Sequence, residues 1–389
     1  MTSMATSDEV TTGDPLDQAA SHSDAAVGQV VDFVRAWTAA ALPAAVWDTA
    51  MVVDRHGLDS IPGHRTTPIV AAILAAAGAT MPHFSLPAAK QAWSTADTMS
   101  QLTGVRFDFL QATSIALRVG ACIAHSNTAL VAPHVPWSPT SSDSHLVAAA
   151  LARRVAVGVK HLLINVAVGR SALAADDTRL LRVRDLCERT GAAVGLKVRV
   201  TRSVGSQPVG FGIGPAPEAL DVLAVLRGAA AVPIDLRMRA LNEAGHLLEL
   251  CGASQAGHGE PDAWRLLDSG AAWSRFEALC EAQGGLHEPA LAALTRTVTA
   301  DHVGHVRSLD GAHLRRVAVM AGVPSSAGAG VVLHSRIGDR VERGQPLFTL
   351  HAADPRCLEM VMQELRRVPL MRVDEHDLHS RNHLTNDSM

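Results

Sequence analysis

His161–Val168 (HLLINVAV) and residues 194–200 (VGLKVRV) are two short apolar runs. Between them, residues 176–190 carry Leu180, Leu181, Val183 and Leu186 at helical spacing. Runs of this length, rich in branched residues and separated by an amphipathic helix, form a strand–helix–strand unit with parallel strands. The pattern extends in both directions. Residues 51–53 read as a strand, and 68–77 as an apolar helix ended by Gly78. Residues 95–102 and 107–119 read as two further helices, and helical pattern dominates from Glu218 to Cys280. Strands alternating with helices predict an α/β domain with a mainly parallel sheet. Beyond about Thr297 the texture changes to period-two alternation, in HVGHVRSLD (302–310) and GVVLHSRIGDRVERGQPLFTLHA (330–352), which predicts a separate β-rich C-terminal unit.

The ends read differently. Residues 1–27 are Ser, Thr, Asp, Ala and Gly rich and are expected to be a disordered tail. Residues 28–46 read as a helix with Val30, Phe33, Val34, Trp37 and Leu42 on one face, the remnant of a small helical domain to which residues of about 134–158 also belong. The expected division is completed by an α/β domain over 47–296, the β-rich domain over 297–371 and a flexible tail over 372–389.

The 389 residues are 48% hydrophobic and 19% charged, enough to bury a core, so global disorder is excluded. Lys plus Arg number 34 against 38 Asp plus Glu, a net charge of −4 that gives no basic excess for nucleic acid. No apolar run reaches the roughly 18 residues that span a bilayer. The N-terminus, with Asp8, Glu9, Asp14 and Asp17, is not a secretory signal, so a cytoplasmic location is expected. Cys122, Cys187, Cys251, Cys280 and Cys357 form no CxxC pair, which argues against a disulfide framework or structural zinc. Tyrosine is absent, so no phenol takes part in the chemistry.

The densest polar cluster is Asp54-Arg55-His56, followed by Pro62-Gly63-His64-Arg65-Thr66-Thr67-Pro68. With a strand ending at Val53, Arg55 and His56 sit just past its carboxyl end, where open α/β sheets bind ligands. Thr67 before Pro68 reads as a capped helix start whose free N–H groups favour an anion, although Thr-Pro also opens many helices that bind nothing. Ser94 and Asp97 have capping-box spacing, for which ordinary capping is the favoured reading over a ligand site. The 19 histidines include His56, His64, His83, His125, His134, His145 and His161 near loops, with no HExxH spacing, so no metal site is expected. Gly210-Phe211-Gly212-Ile213-Gly214 lacks the GxGxxG spacing of a dinucleotide fingerprint. Residues 338–347 look like the hammerhead turn of biotinyl and lipoyl domains but carry no lysine to acylate.

Residues 52–78 (VVDRHGLDSIPGHRTTPIVAAILAAAG) resemble the phosphate-binding segment of the thymidine phosphorylase family, on the branch with archaeal AMP phosphorylases. The similarity continues through STADTM (94–99), GSQPVGFGIGPAPEALDVLAVL (205–226), AWSRFEALCEAQGG (272–285) and IGDRVERGQPLFTLHA (337–352). It implies a small helical domain, a large α/β domain and a C-terminal barrel-sandwich-like domain. The implied activity is that of a pentosyltransferase: reversible phosphorolysis of a pyrimidine nucleoside to base and sugar 1-phosphate. The resemblance also implies inorganic phosphate as co-substrate, no organic cofactor, and a homodimer through the helical domain. Arg55 stands at a phosphate-contacting lysine, and Thr67, Ser85 and Thr95 at hydroxyl positions around phosphate, with Thr66 beside them. His56 matches the histidine near the base carbonyl, Arg153 a base-binding lysine, and Glu218 a segment near a monovalent-cation site.

The family pattern is broken at several points. Asp59-Ser60 replaces a glycine pair, Gly57 a hydroxyl or thiol, Pro87 an arginine, Ser94 a glycine and Ala149 a base-binding serine. Residues 134–140 hold no arginine, and the N-terminal helical part is shorter than the family's. A buried base edge loses about 1–3 kcal/mol for each missing partner. Two readings follow: a nucleoside phosphorylase with altered substrate, or a diverged homologue that binds or scaffolds.

Overall fold

The computed structural model describes residues 24–39, 47–58, 65–85, 93–125, 142–169, 172 and 174–374. Helix α1 (Asp24–Ala39) begins four residues earlier than the expected tail boundary, and residues 40–46, with Leu42, lie outside the described ones. There follow β1 (Val53–Leu58), α2 (Thr66–Ala76), β2 (Met81–Ser85), α3 (Thr95–Met99), α4 (Phe109–Val119), β3 (Ala121–His125), α5 (Asp143–Val157), β4 (His161–Val168), α6 (Asp177–Ala193) and β5 (Lys197–Val204). Strands β1, β4 and β5 pair in parallel in that order, as do β2 and β3, and the parallel bridge between Val52 and Thr80 joins the two groups. The alternation of strands and helices thus gives the expected parallel α/β sheet, with His161–Val168 beside the strand of residues 197–204. Every residue of β4 is buried, which is why its sequence runs apolar without alternation.

Two boundaries moved for local reasons. Helix α6 runs on to Ala193, and Gly195 at φ +77° turns the chain, so β5 starts at Lys197 rather than at 194. Strand β1 extends to Leu58, so Arg55 and His56 lie inside it rather than beyond its end. Its charged run can be strand because Asp54 and Arg55 find buried partners on neighbouring elements. On the apolar face of α1, Val30 and Val34 are fully buried and Phe33 and Trp37 half-buried, and α1 packs on α5 and α6.

After β5 come β6 (Gly212–Ile213), α7 (Pro215–Arg227), α8 (Ile234–Cys251), α9 (Gly259–Asp268) and α10 (Ala271–Ala282), the helical stretch the sequence predicts. The remainder is β7 (Leu294–Thr299), β8 (Gly304–Leu309), α11 (Gly311–Ala321), β9 (Gly330–Leu333), β10 (Arg340–Val341), β11 (Pro346–Ala352), α12 (Pro355–Arg367) and β12 (Met371–Asp374). Two antiparallel sheets form, in the orders β6-β9-β11-β7 and β10-β8-β12, around a core that includes Leu314, Val317, Val331, Phe348 and Leu350. The C-terminal region is therefore sheet-rich, but it also holds α11 and α12. Asp310 and Asp354 cap those helices, and Pro opens α12. Strand β12 runs into the first three residues of the expected tail, 372–374, and residues 375–389 lie outside the described ones. Strand β6, from the segment before α7, joins the C-terminal sheet through β9. Gly212 permits this, since a Cβ there would sit 2.3 Å from the Pro217 carbonyl oxygen.

Candidate active site

The charged run of β1 is held by groups from three other elements. Asp54 accepts from His83 Nδ1 on β2 (2.7 Å), Arg154 Nε on α5 (3.0 Å) and the Arg55 N–H (2.8 Å). Burial alone would raise this carboxyl's pKa, but His83 and Arg154 outweigh it and hold it below the usual value. Arg154 also donates Nη2–H to the Arg55 carbonyl and to His56 Nδ1, both at 3.3 Å. With Nδ1 accepting, the proton of His56 sits on Nε2. Burial, followed by the charges of Arg154, Arg153 and Arg55, pushes the His56 pKa well below 6.5, so the imidazole is neutral at physiological pH and offers one N–H.

Arg153 is half-buried on α5 one residue from this network. Burial and the charge of Arg154 bring its pKa down to about 9, and its Nε is buried without a hydrogen-bond partner. Among the described residues, Asp54 is the carboxylate whose field opposes that fall, and it is engaged elsewhere.

Arg55 is spent differently from the expectation. Its Nε lies 2.8 Å from Glu243 Oε2 on α8, and its Nη1 donates to Thr67 Oγ1 at 2.8 Å. Glu243 also meets Arg239 at 3.2 Å, which donates to Asn165 Oδ1 on β4. The Arg55 charge is thus paired with a fully buried carboxylate that it shares with Arg239. Thr67 is not the cap of α2: the helix starts at Thr66 after Arg65, with no side-chain cap. Its hydroxyl accepts from Arg55, which leaves its own O–H to donate. Ser85 at the end of β2 repeats this arrangement, accepting from the Ala96 N–H at 3.3 Å. Thr95 opens α3 behind Ser94, whose capping box with Asp97 is complete. Thr66, Thr67, Ser85 and Thr95 are all buried, and α2 packs against α3. The two loops between strand and helix, 59–64 and 86–92, lie outside the described residues, and with them Asp59, Ser60 and Pro87. So does the segment 134–140.

Glu218, expected near a monovalent cation, is fully buried in the first turn of α7. Its Oε1 accepts from Arg65 Nη2 (2.9 Å) and Trp93 Nε1 (2.8 Å), and its Oε2 from Thr98 Oγ1 (2.9 Å). Both oxygens are committed to protein donors, one of them cationic, so the residues here do not fit a free ion.

Residues 305–368 match the pyrimidine nucleoside phosphorylase C-terminal domain, which corresponds to the stretch from β8 to α12. The "Putative thymidine phosphorylase" of Hahella chejuensis is 39% identical over 340 residues, covering 85% of this chain and 67% of that protein. "Putative thymidine phosphorylase 1" of Cupriavidus necator is 46% identical over 313 residues, 79% of this chain and 60% of that one. The chain belongs to the thymidine/pyrimidine nucleoside phosphorylase family. It spans about 60% of the length of the Cupriavidus relative. Among solved structures, anthranilate phosphoribosyltransferase from Thermus thermophilus shares the fold, with a TM-score of 0.50 and 17% identity over 66% of this chain and 85% of that one.

In this member of the phosphorylase family the sequence singled out His56, Thr66, Thr67, Ser85 and Thr95 as candidates but not the groups that the structure brings to them. Asp54 and His83 were visible only as polar residues near loops, and Arg154 only as the second of two arginines. Glu243 lies on α8, 188 residues from Arg55, with no local signal. Among the described residues no cluster of His, Cys, Asp or Glu could hold a metal, and no helix is long and apolar enough to cross a membrane.

Proposed function

We propose that the protein catalyses phosphorolysis of a pyrimidine nucleoside, thymidine or a close relative. A phosphate oxygen attacks C1′ of the sugar, the C1′–N1 bond breaks, and its electron pair leaves with the base. The proton that phosphate gives up ends on the base, and sugar 1-phosphate is released. Negative charge grows on the pyrimidine carbonyls as the bond breaks, and fixed donors aimed at that charge lower the barrier. The observation that carries this reading is the state of His56: a half-buried, neutral imidazole whose Nδ1 is filled by Arg154 and whose Nε2–H is left to donate. Arg153 supplies a second, charged donor for the base.

On the phosphate side, Thr67 and Ser85 have lone pairs occupied by N–H donors, so their hydroxyls turn outward as donors for an anion. Thr66 and Thr95 add to them, and Arg55 positions Thr67. The family membership of the chain and its relatives' names support the same chemistry. Pairing of Arg55 with Glu243 favours the second reading, a homologue that binds weakly. Calorimetry separates the two. The phosphorolysis reading predicts that phosphate binds, that nucleoside binds in its presence, and that Arg153→Ala weakens nucleoside affinity about tenfold or more while leaving phosphate affinity unchanged. Unchanged nucleoside binding by Arg153→Ala would remove Arg153 from the base site. Absence of binding by either ligand would favour a scaffold.

A further inference from the structure

The oxygen set beside Glu218 suits a cation. Val209 O, Gly212 O and Glu218 Oε1 converge on one point, with the Asp221 carboxylate close by. Backbone carbonyls and carboxylates are the ligands a hard cation takes, and without positive charge two buried carboxylates here would oppose each other. The point is already filled. Arg65 donates Nη1–H to Val209 O, and Nη2–H to Gly212 O and to Glu218 Oε1 at 2.9 Å.

We propose that Arg65 is a tethered cation. Its guanidinium stands where a monovalent ion would sit and locks the phosphate-side helices to the C-terminal sheet with no ion from solution. Arg65 immediately precedes Thr66 and Thr67 at the start of α2. Glu218, its partner, also holds Thr98 of α3 and Trp93 just before that helix. Gly212, whose carbonyl Arg65 holds, opens β6 of the C-terminal sheet. One ion pair therefore touches α2, α3, α7 and β6. The loop fits closely around the side chain. Gly210 has φ +81°, and a Cβ there would lie 2.4 Å from Asp221 Oδ2 and 3.0 Å from Arg65 Cδ. Asp221 Oδ2 in turn accepts the N–H groups of Phe211 (2.7 Å) and Gly212 (2.8 Å), fixing the carbonyls toward Arg65. A guanidinium matches this set because it is planar, permanently charged and presents several donors at fixed angles.

The test reads stability, so it stands or falls independently of phosphorolysis. Thermal unfolding of the full chain should give the same midpoint in potassium chloride and in choline chloride at equal ionic strength. Arg65→Ala should lower the midpoint by about 5 °C or more. Millimolar potassium or free guanidinium should restore at least half of that loss, and choline none. A role in packing alone would not be rescued by a small cation. A wild-type midpoint that rises with potassium over choline overturns the proposal, as does a deficit in Arg65→Ala that no small cation restores. Should Arg65→Ala fail to fold, Arg65→Lys keeps the charge. It should be folded, less stable than wild type and indifferent to potassium, and potassium dependence in that variant overturns the proposal equally.

Discussion

His56 shows how little of a side chain's chemical state is written next to it. Its neighbours in sequence are Arg55 and Gly57, yet its protonation is set chiefly by burial and by Arg154 from α5. A proton is therefore taken up only at acid pH. In an NMR titration the His56 ring signals should stay at their neutral positions from pH 8 down to 6, and a midpoint at or above 6.5 would contradict the assigned state. Because the folded pKa lies below the unfolded one, the stability His56 contributes is present above pH 6.5 and declines as pH falls towards the folded value. Asp221 runs the other way. Burial pushes its pKa up to about 6, against the opposing charge of Arg65. Its contribution is full below the unfolded value near 3.8 and lost as pH rises through about 6, roughly 3 kcal/mol in all. Asp221→Asn should flatten that part of the stability profile, as followed by urea unfolding at pH 4 and pH 7, and an unchanged difference between the two would argue against it.

Elements whose identity rests on their own residues were legible, and those that depend on distant partners were not. Strand β4 and helices α4 and α6 could be read from apolar runs and helical spacing. Strand β1 could not be read in full, because Asp54, Arg55 and His56 look like a loop until Arg154, His83 and Glu243 are brought to them. Helix α12 was hidden because the surrounding β-alternation set the expectation, although Asp354 and Pro355 mark its start. The same dependence sets the cost of a change on α5. Arg154→Met leaves the Asp54 carboxylate buried with one partner fewer, and removing one member of a buried pair costs about 3–5 kcal/mol. Denaturant unfolding should show that loss, and a cost below about 1 kcal/mol would mean the network around β1 is dispensable.

The molecule as a whole couples a parallel α/β sheet to an antiparallel C-terminal sheet through β6 and the Arg65–Glu218 pair. The family and the parallel sheet were legible in the sequence. It did not show that Arg55 would be paired with Glu243 or that Arg65 would fill a cation's place, since both depend on residues more than 140 positions away. With its departures from the family pattern, the proposed site must still turn over a pyrimidine nucleoside. The direct measurement is base release from thymidine and uridine, each with and without inorganic phosphate, for the wild-type chain and for His56→Gln. Base and sugar 1-phosphate should form in equal amounts only when phosphate is present, with kcat/KM reduced at least about 100-fold in His56→Gln. No base release from either nucleoside at millimolar phosphate, or release that His56→Gln leaves unchanged, would contradict it.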